Sequence, residues 1–538
     1  MLINAQHITY HTPNRGLLFN DISFSLHKGE KAAIVGNNGT GKTTLLKILA
    51  GHIKGFTGDL RINGTLHYVP QHYGHFNQLT VAAALGIAPL LEALQAIEQG
   101  ATDQHYYDLL EHHWDIAARC EEAFARWGIT GVDLHQPLQQ LSGGMKTRLF
   151  LSGIDIFEPA IVLLDEPTNH LDAKARAQLY EWMENTSCTL LLTSHDRQLL
   201  RLCQPIWELQ PSGISAYGGN YDFYAAQKEI EITAREHALA HHEKAWKEAK
   251  LKQQEVLERK QHADAQARRK GLQSGLPKAV INGRRTAAEA STGKLKHIHN
   301  DKVTELRNSL QEAAAMAQVQ RIMKGYFNNP TLPRGKVLIQ ANDINFAYGN
   351  NPFLWAQPLT FTIRSGDRLA ISGANGSGKS TLFHLLRGQL LPSQGSLQIA
   401  PCTTLLLDQD YSLIDRSKTV LEQAMAYNEA PLDPPIVHTL LANFLFMPDS
   451  WDRSCAVLSG GEMLRLVLCC MVLQNRTPDI IFLDEPVNNL DLSNIRMLAK
   501  IFAEYKGTLI IISHDKGFLQ EAGIVEELPL QTVITKFH

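Results

Sequence analysis

Long apolar runs are missing from this chain. Nowhere do about 18 or more consecutive apolar residues occur, so no transmembrane helix is expected. The first twenty residues, MLINAQHITYHTPNRGLLFN, lack the basic start, apolar stretch and small-residue cleavage site of a secretory signal. Cysteine is sparse, with seven scattered residues: Cys120, Cys188, Cys203, Cys402, Cys455, Cys469 and Cys470. An odd number with no C-x-x-C pair gives neither a disulfide framework nor a zinc signature, and the adjacent Cys469 and Cys470 are read as filling an apolar helix. A reducing, cytoplasmic setting is expected. Charge is unevenly spread. Residues 259–302 hold eleven Lys and Arg against three Asp and Glu, a local balance of +8. The whole chain carries −3, so everything outside that segment carries −11. A nucleic-acid partner, if there is one, belongs against this central stretch. Aromatics are absent from 268–299, which argues against base stacking there.

At 538 residues the chain exceeds a single core, and it repeats itself. GNNGTGKTT at 36–44 returns as GANGSGKST at 373–381, and QLSGGMKTRL at 140–149 as VLSGGEMLRL at 457–466. VLLDEPTNHLD at 162–172 returns as IFLDEPVNNLD at 481–491, and each copy then reaches a Ser-His-Asp triplet. Asp165 to His195 and Asp484 to His514 are both 30 residues. Kept order and spacing mean a duplicated domain of roughly 200 residues, not a short-period solenoid. In both copies an apolar strand precedes the glycine loop and an amphipathic helix follows it, and the other short apolar runs read as buried parallel strands. The fold class predicted is α/β, present twice.

The chemistry is phosphate chemistry. G-x-x-x-x-G-K-[ST] is met by Gly36, Asn37, Asn38, Gly39, Thr40, Gly41, Lys42 and Thr43, with Thr44 next. It is met again by Gly373, Ala374, Asn375, Gly376, Ser377, Gly378, Lys379 and Ser380, with Thr381 next. Backbone N–H groups at a helix start cradle phosphates, the lysine reaches the β- and γ-phosphates, and the hydroxyl of Thr43 or Ser380 suits magnesium. Asp165 and Asp484 each end an apolar strand, as a magnesium-directed carboxylate should. Glu166 and Glu485 follow directly and suit polarising an attacking water. His195 and His514 are neighbours of a Ser and an Asp in sequence, so they form no hydrolase triad and read as γ-phosphate sensors. Ser142, Gly143 and Gly144, and likewise Ser459, Gly460 and Gly461, open helices and make second anion sites. Each glycine loop already serves its own phosphate, so these must address a foreign one.

Together the glycine loop, a glutamine, LSGG, LLDEP, LD and SHD resemble the ATP-binding cassette superfamily. Two such cassettes in one chain, DEPTNHLD in the first half and a charged linker between them resemble the ABC-F proteins in particular. The likeness covers essentially the whole chain. It implies head-to-tail pairing of the cassettes within a monomer, with two ATP molecules and Mg2+ between them. Lys42, Thr43, Gln71, Asp165, Glu166 and His195 would face Ser459, Gly460 and Gly461. Lys379, Ser380, Gln409, Asp484, Glu485 and His514 would face Ser142, Gly143 and Gly144. Gln71 and Gln409 would join the magnesium ligands, and Asp172 and Asp491 would sit in loops crossing the seam. Adenine would stack on Tyr348 in the second half; in the first, Tyr10 and His11 compete. Met145 departs from the family's usual Gln or Glu, and Val487 and Asn489 from its Thr and His. With both Glu and both His intact, both sites are expected to hydrolyse, with room for unequal rates.

Three segments are assigned: a first cassette at 1–224, a linker at 225–335 and a second cassette at 336–538. Gln71 to Leu141 spans 70 residues against 49 from Gln409 to Leu458, an excess placed around 88–113 as a helical hairpin broken at Gly100. Ile232, Leu239 and Trp246 recur every seven residues, and Val303, Leu306, Leu310, Ala313 and Ala317 step by 3 and 4. They predict two helices that pair antiparallel, and forty helical residues reach about 60 Å. Gly271, Gly275, Pro277 and Gly283 break them, which makes 268–299 the tip of a projecting hairpin. Arg268, Arg269, Lys270, Lys278, Arg284, Arg285, Lys294 and Lys296 suit RNA phosphates there. The resemblance implies a ribosome partner: the 88–113 arm near the exit site, and the linker reaching transfer RNA and the peptidyl-transferase region. It leaves open housekeeping translation, ribosome assembly or protection from antibiotics. The rivals are a DNA-repair or chromosome ATPase, which would show zinc cysteines or very long coiled coils, a transporter's ATPase subunit, and an inactive scaffold.

Overall fold

The computed structural model describes residues 1–13, 16–111, 113–231, 233–234, 322–323, 326, 332–349, 351–374, 376–429, 432–474, 476–488 and 490–531. They fall into two compact units, 1–224 with 322–441 and 446–538, and 225–321 with 442–445. Of the second unit, residues 225–231 are helical. The seven-residue apolar stripe from Ile232, its partner from Val303 and the basic tip with its eight named cations lie outside the described residues, as do Asn375 and Asn489.

The first unit contains both sequence copies, and each has the same two sheets. In the first copy, β1 (Ile3–His11), β2 (Leu17–Leu26) and β4 (Thr57–Ile62) form an antiparallel sheet in the order β2-β1-β4. The second sheet uses β3 (Lys31–Val35), β5 (Leu66–Val69), β6 (Ile161–Asp165), β7 (Thr189–Thr193), β8 (Ile206–Gln210) and β9 (Gly213–Tyr217). Its order is β5-β6-β7-β3-β8-β9, parallel except for the last pair. The second copy repeats the plan. β10 (Val337–Asn345), β11 (Leu359–Arg364) and β13 (Gln394–Ile399) form β11-β10-β13. β12 (Arg368–Ser372), β14 (Thr404–Leu407), β15 (Ile480–Asp484), β16 (Thr508–Ile512) and β17 (Glu526–Pro529) form β14-β15-β16-β12-β17.

The central strands are apolar on both faces because both faces are covered. β6, β7 and β16 are buried at every position. In each copy one core joins the two sheets through the helix that follows the glycine loop. Leu45 and Leu46 pack with Ile34, Leu163 and Ile3, and Leu382 and Phe383 with Ile371, Phe482 and Ile339. Parallel strands all end at the same edge, so β3 delivers the loop at 36–41 beside the carboxylates that end β6. Topology thereby turns distant sequence motifs into one site.

Residues 88–113 hold the helices Ala88–Glu98 and Gln104–Leu110, with Gly100 at φ 92° between them. Among the described residues no helix is long and apolar enough to cross a membrane.

Phe482 ties the strand bearing Asp484 to the helix bearing Lys379. It is fully buried, and its ring meets Phe383 edge-on at 5.3 Å. Replacing Phe482 by Ala should cost about 3–5 kcal/mol of unfolding free energy, read from urea denaturation. Phe482→Leu should cost less than half of that.

Candidate functional site

Each glycine loop turns a strand into a helix through a left-handed residue. Gly41 caps the helix Lys42–Leu49 at φ 96°, and Gly378 caps Lys379–Leu386 at φ 86°. A Cβ on Gly41 would lie 2.8 Å from Leu18 and Phe19 side-chain carbons, so both conformation and space exclude one. Lys42 Nζ donates to the carbonyls of Gly36 (2.7 Å) and Asn37 (3.1 Å), and Thr40 Oγ1 to that of Asn37 (2.9 Å). In the second copy Lys379 Nζ donates to Gly373 O (2.8 Å) and Ala374 O (3.1 Å). Gly39, Gly376, Asn38 and Ser377 complete the two loops, while Thr44 and Thr381 enter the helices.

The strand-ending carboxylates reach back to these helices. Asp165 accepts from Thr43 Oγ1 (3.1 Å), Thr193 Oγ1 (2.7 Å) and Tyr68 OH (3.2 Å). Ser380 Oγ donates to Asp484 at 3.5 Å. Burial raises the pKa of both carboxyls, against the hydroxyl donors around Asp165 and against Lys379 beside Asp484. Glu166 and Glu485 turn away from the strand at φ 49° and 46°, each still tied to the neighbouring strand through its N–H, to Thr193 O (2.9 Å) and Ile512 O (2.8 Å). A left-handed glutamate is a strained backbone held by its surroundings. Here the turn swings the carboxyl toward the histidine.

His195 Nε2 lies 3.3 Å from Glu166 Oε1, and His514 Nε2 3.5 Å from Glu485 Oε1. These are not charged pairs. Burial pushes both glutamate carboxyls up to about 7, and burial with nearby cations pushes His195 down to about 3 and His514 to about 4. A neutral imidazole therefore stands beside a carboxyl poised near neutrality. Glu166 Oε1 and His195 Nδ1 are buried and make no hydrogen bond within the protein, which leaves two polar atoms for a ligand to take.

Both LSGG motifs open helices, Gly143–Phe157 and Gly460–Leu473, capped by Ser142 and Ser459. The caps differ. Glu462 accepts from Ser459 N (2.8 Å) and Ser459 Oγ (2.8 Å) and pairs with Arg453 at 3.0 Å, completing a capping box. Met145 occupies the matching position in the first copy and cannot reciprocate, so Ser142 alone caps Met145 N at 3.3 Å.

The two copies meet at these elements. A cavity of about 970 Å³ is lined by Lys42, Thr43, Gln71, Asp165, Glu166 and His195 of the first copy and by Ser459 of the second. Asn38 N donates to Asp491 Oδ2 at 3.1 Å, while Asp491 Oδ1 caps its own helix through Asn494 N at 2.9 Å. Asp172, the equivalent residue, instead takes Arg148 of its own copy at 3.3 Å and caps Ala175 N at 2.9 Å. An ion pair between Arg197 and Glu521 also joins the copies, with Nη2 to Oε2 at 3.1 Å. Burial lowers the pKa of Lys42, opposed by Glu166, Asp491 and Asp165. Gln409 follows β14, and Gly460 and Gly461 form the first turn of their helix. Gly143 and Gly144 do likewise.

Tyr348 stands beside the second glycine-loop helix, its OH 2.9 Å from Thr381 Oγ1 and its ring edge-on to Phe346. In the first copy Tyr10 packs at 6.1 Å on Phe19, and Leu18 lines the cavity where neither Tyr10 nor His11 does. Sequence reading passed over Arg176, Arg197 and Arg416, which also line the cavity. Arg176 had a legible signal, since it lies one helical turn past Asp172. Arg197 and Arg416 had none.

No cluster of three or more His, Cys, Asp or Glu suited to a metal occurs among the described residues. The paired hydroxyl and carboxylate oxygens at Thr43–Asp165 and Ser380–Asp484 instead fit a hard cation that takes most of its ligands from water and phosphate.

The ABC transporter family model matches residues 19–169 and 356–488. The chain is similar to the ATP-binding protein YdiF of Bacillus subtilis, 30% identical, over 93% of this chain and 76% of that one. Arabidopsis thaliana ABC transporter F family member 2 is 29% identical over 93% and 72%. Among solved structures, the archaeal ribosome recycling factor aABCE1, crystallised with ribosomal stalk protein aP1, superposes with TM-score 0.57 at 17% identity, over 97% of this chain and 87% of that one.

Proposed function

The chain belongs to the ABC-F branch of the ATP-binding cassette family, and on that premise we propose that it hydrolyses ATP at two sites shared between its copies and acts on the ribosome. One observation carries the first part: the cavity that sets Lys42, Asp165, Glu166 and His195 of one copy against Ser459 of the other.

The loop amides and Lys42 or Lys379 hold the β- and γ-phosphates. Gly143 and Gly144, or Gly460 and Gly461, meet the γ-phosphate from the opposite side. Glu166 or Glu485, as carboxylate, takes a proton from water while that water's oxygen bonds to Pγ. The bond from Pγ to the β–γ bridging oxygen breaks, leaving ADP and inorganic phosphate. His195 and His514, kept neutral by burial, each have a ring N–H to give a phosphate oxygen. Thr43, Gln71 and Asp165, or Ser380, Gln409 and Asp484, would hold magnesium, which would supply positive charge against that of the phosphates. Tyr348 offers its ring to adenine.

The ribosome enters through the ABC-F branch and the charge of 259–302, eleven cations against three anions. A solved relative described as a ribosome recycling factor shares the fold, and at 17% identity the likeness supports no more than that. With the assigned extents 1–224, 225–335 and 336–538, ATP closes the two cassettes. Closure presents the 88–113 arm and the linker, whose Arg268, Arg269, Lys270, Lys278, Arg284, Arg285, Lys294 and Lys296 contact RNA backbone. Hydrolysis reopens the pair and releases the particle. The chain works as a cytoplasmic monomer.

Turnover should rise with pH. A carboxyl raised to about 7 is protonated below that value and cannot accept a proton, and it ionises as pH climbs through it. Steady-state phosphate release should grow about tenfold per unit up to about pH 7 and then level off. A rate that falls between pH 5.5 and 8 would contradict the assignment of Glu166 and Glu485.

For the partner, the Glu166→Gln, Glu485→Gln double variant should bind ATP and stay closed. In sucrose gradients of lysate it should move into the 70S fraction only with ATP. Replacing the eight named Arg and Lys of the linker tip by Gln should abolish that movement. Protein left at the top of the gradient with ATP present would refute the ribosomal reading and leave the ATPase reading standing.

A further inference from the structure

The two sites are not supplied alike by the opposite copy. Asp172 and Asp491 cap equivalent helices, Ala173–Asn185 and Leu492–Glu504. Four positions on, one helical turn into each, the side chains line the same cavity: Arg176 in the first copy and Ile495 in the second. Ile495 is buried and apolar. Arg176 is held at both ends of its guanidinium. Its Nε donates to Leu171 O at 3.1 Å, and its Nη1 lies 3.9 Å from Asp196 Oδ2, with 13% of the side chain exposed. Asp196 is fixed in turn by Tyr180 OH at 2.5 Å and by capping Leu199 N at 3.2 Å. The second copy has Ala499 where the first has Tyr180, so Asp515, the counterpart of Asp196, has no tyrosine hydroxyl from that position to fix it.

This braced cation stands at the seam between the copies, on a cavity that both line. It shares the cavity wall with His514. Burial is the main influence on Glu485 and His514, and the first charge acting on each is the Arg176 guanidinium, ahead of Lys379. At the first site the cation acting on Glu166 is Lys42, which belongs to its own glycine loop. One general base therefore has a cation from the other copy, and its counterpart has an isoleucine.

We propose that Arg176 is a positioning residue supplied by the first copy to the second ATP site, where it fixes the Glu485–His514 pair for attack on the γ-phosphate. The first site, with Ile495 in that place, turns over without such a group. This rests on the hydrolysis reading above and adds to it a physical cause for unequal sites. A planar guanidinium braced at two points keeps its geometry, whereas an ammonium at the same place supplies charge without the fork.

The test reads the two sites separately in the full chain. The protein turns over 8-azido-ATP with magnesium and vanadate, which trap the ADP product. Light then attaches the trapped nucleotide, and mass spectrometry assigns labelled peptides to residues 1–224 or 336–538. Arg176→Gln should lower second-half label about tenfold and leave first-half label within about twofold. Arg176→Lys should recover an intermediate level, which a merely structural role would not give. First-half label doubles as the check that the variant is folded and paired. Equal losses on both halves, or no loss on the second, would overturn the proposal. Absence of trapping on either half of the unmodified chain would instead remove the hydrolysis reading, and the proposal with it.

Discussion

Asp491 spends one carboxylate oxygen on its own helix and the other on the amide of Asn38, 3.1 Å away in the other copy's glycine loop. That single bridge shows the constraint under which the molecule is built. A glycine loop at a helix start can hold a phosphate from one side only. The far side must come from a second helix start, and for the first loop Ser459, at the start of the other copy's LSGG helix, lines the same cavity. Where the two copies meet, the seam becomes the place where charge is buried. Lys42, Asp165, Glu166 and Asp491 are all buried there; burial lowers the pKa of Lys42 and raises those of Asp165 and Glu166, whereas Asp491 is held low against its burial by the donors Ser493, Asn494 and Asn38.

Burial also explains why the glutamate and histidine of each site work as a pair. Each raised carboxyl would cost stability as pH rises from about 4.5 to about 7, because the folded chain then holds a proton the unfolded chain has released. Each lowered imidazole works the other way, adding stability as pH rises from about 3 or 4 to about 6.5. Where the windows overlap, the pair keeps one proton in either state, on the carboxyl when folded and on the ring when unfolded. The site can thus hold a base near neutrality with little net dependence of folding on pH.

Much of this was legible in the sequence. The apolar runs before the glycine loops and at 161–165 and 189–193 became central strands, because strands covered on both faces have only one composition open to them. The LSGG helices began where serine and two glycines said they would, and the repeat spacing placed Asp165 and His195 together. Other features had no sequence signal. The left-handed turn at Glu166 and Glu485 depends on an N–H bond to a neighbouring strand, and glutamate has no preference for it. The pairing of Arg197 with Glu521 joins residues 324 apart whose proximity exists only at the seam. Met145 was visible as a departure, but its meaning came from Glu462, which completes a cap that Met145 cannot. The linker's charge is plain in the sequence, and its basic tip lies outside the described residues.

The shared site can be tested at its seam. Asn37 Oδ1 and Ser493 Oγ lie 3.5 Å apart across it. Cysteines in place of Asn37 and Ser493, with the partly exposed Cys188 and Cys402 changed to serine, should oxidise to a disulfide in the presence of ATP. After protease cleavage within the basic linker, the two halves should then run as one species on a non-reducing gel and separate on reduction. Halves that separate without reductant, with ATP present throughout oxidation, would contradict the head-to-tail pairing on which both nucleotide sites depend.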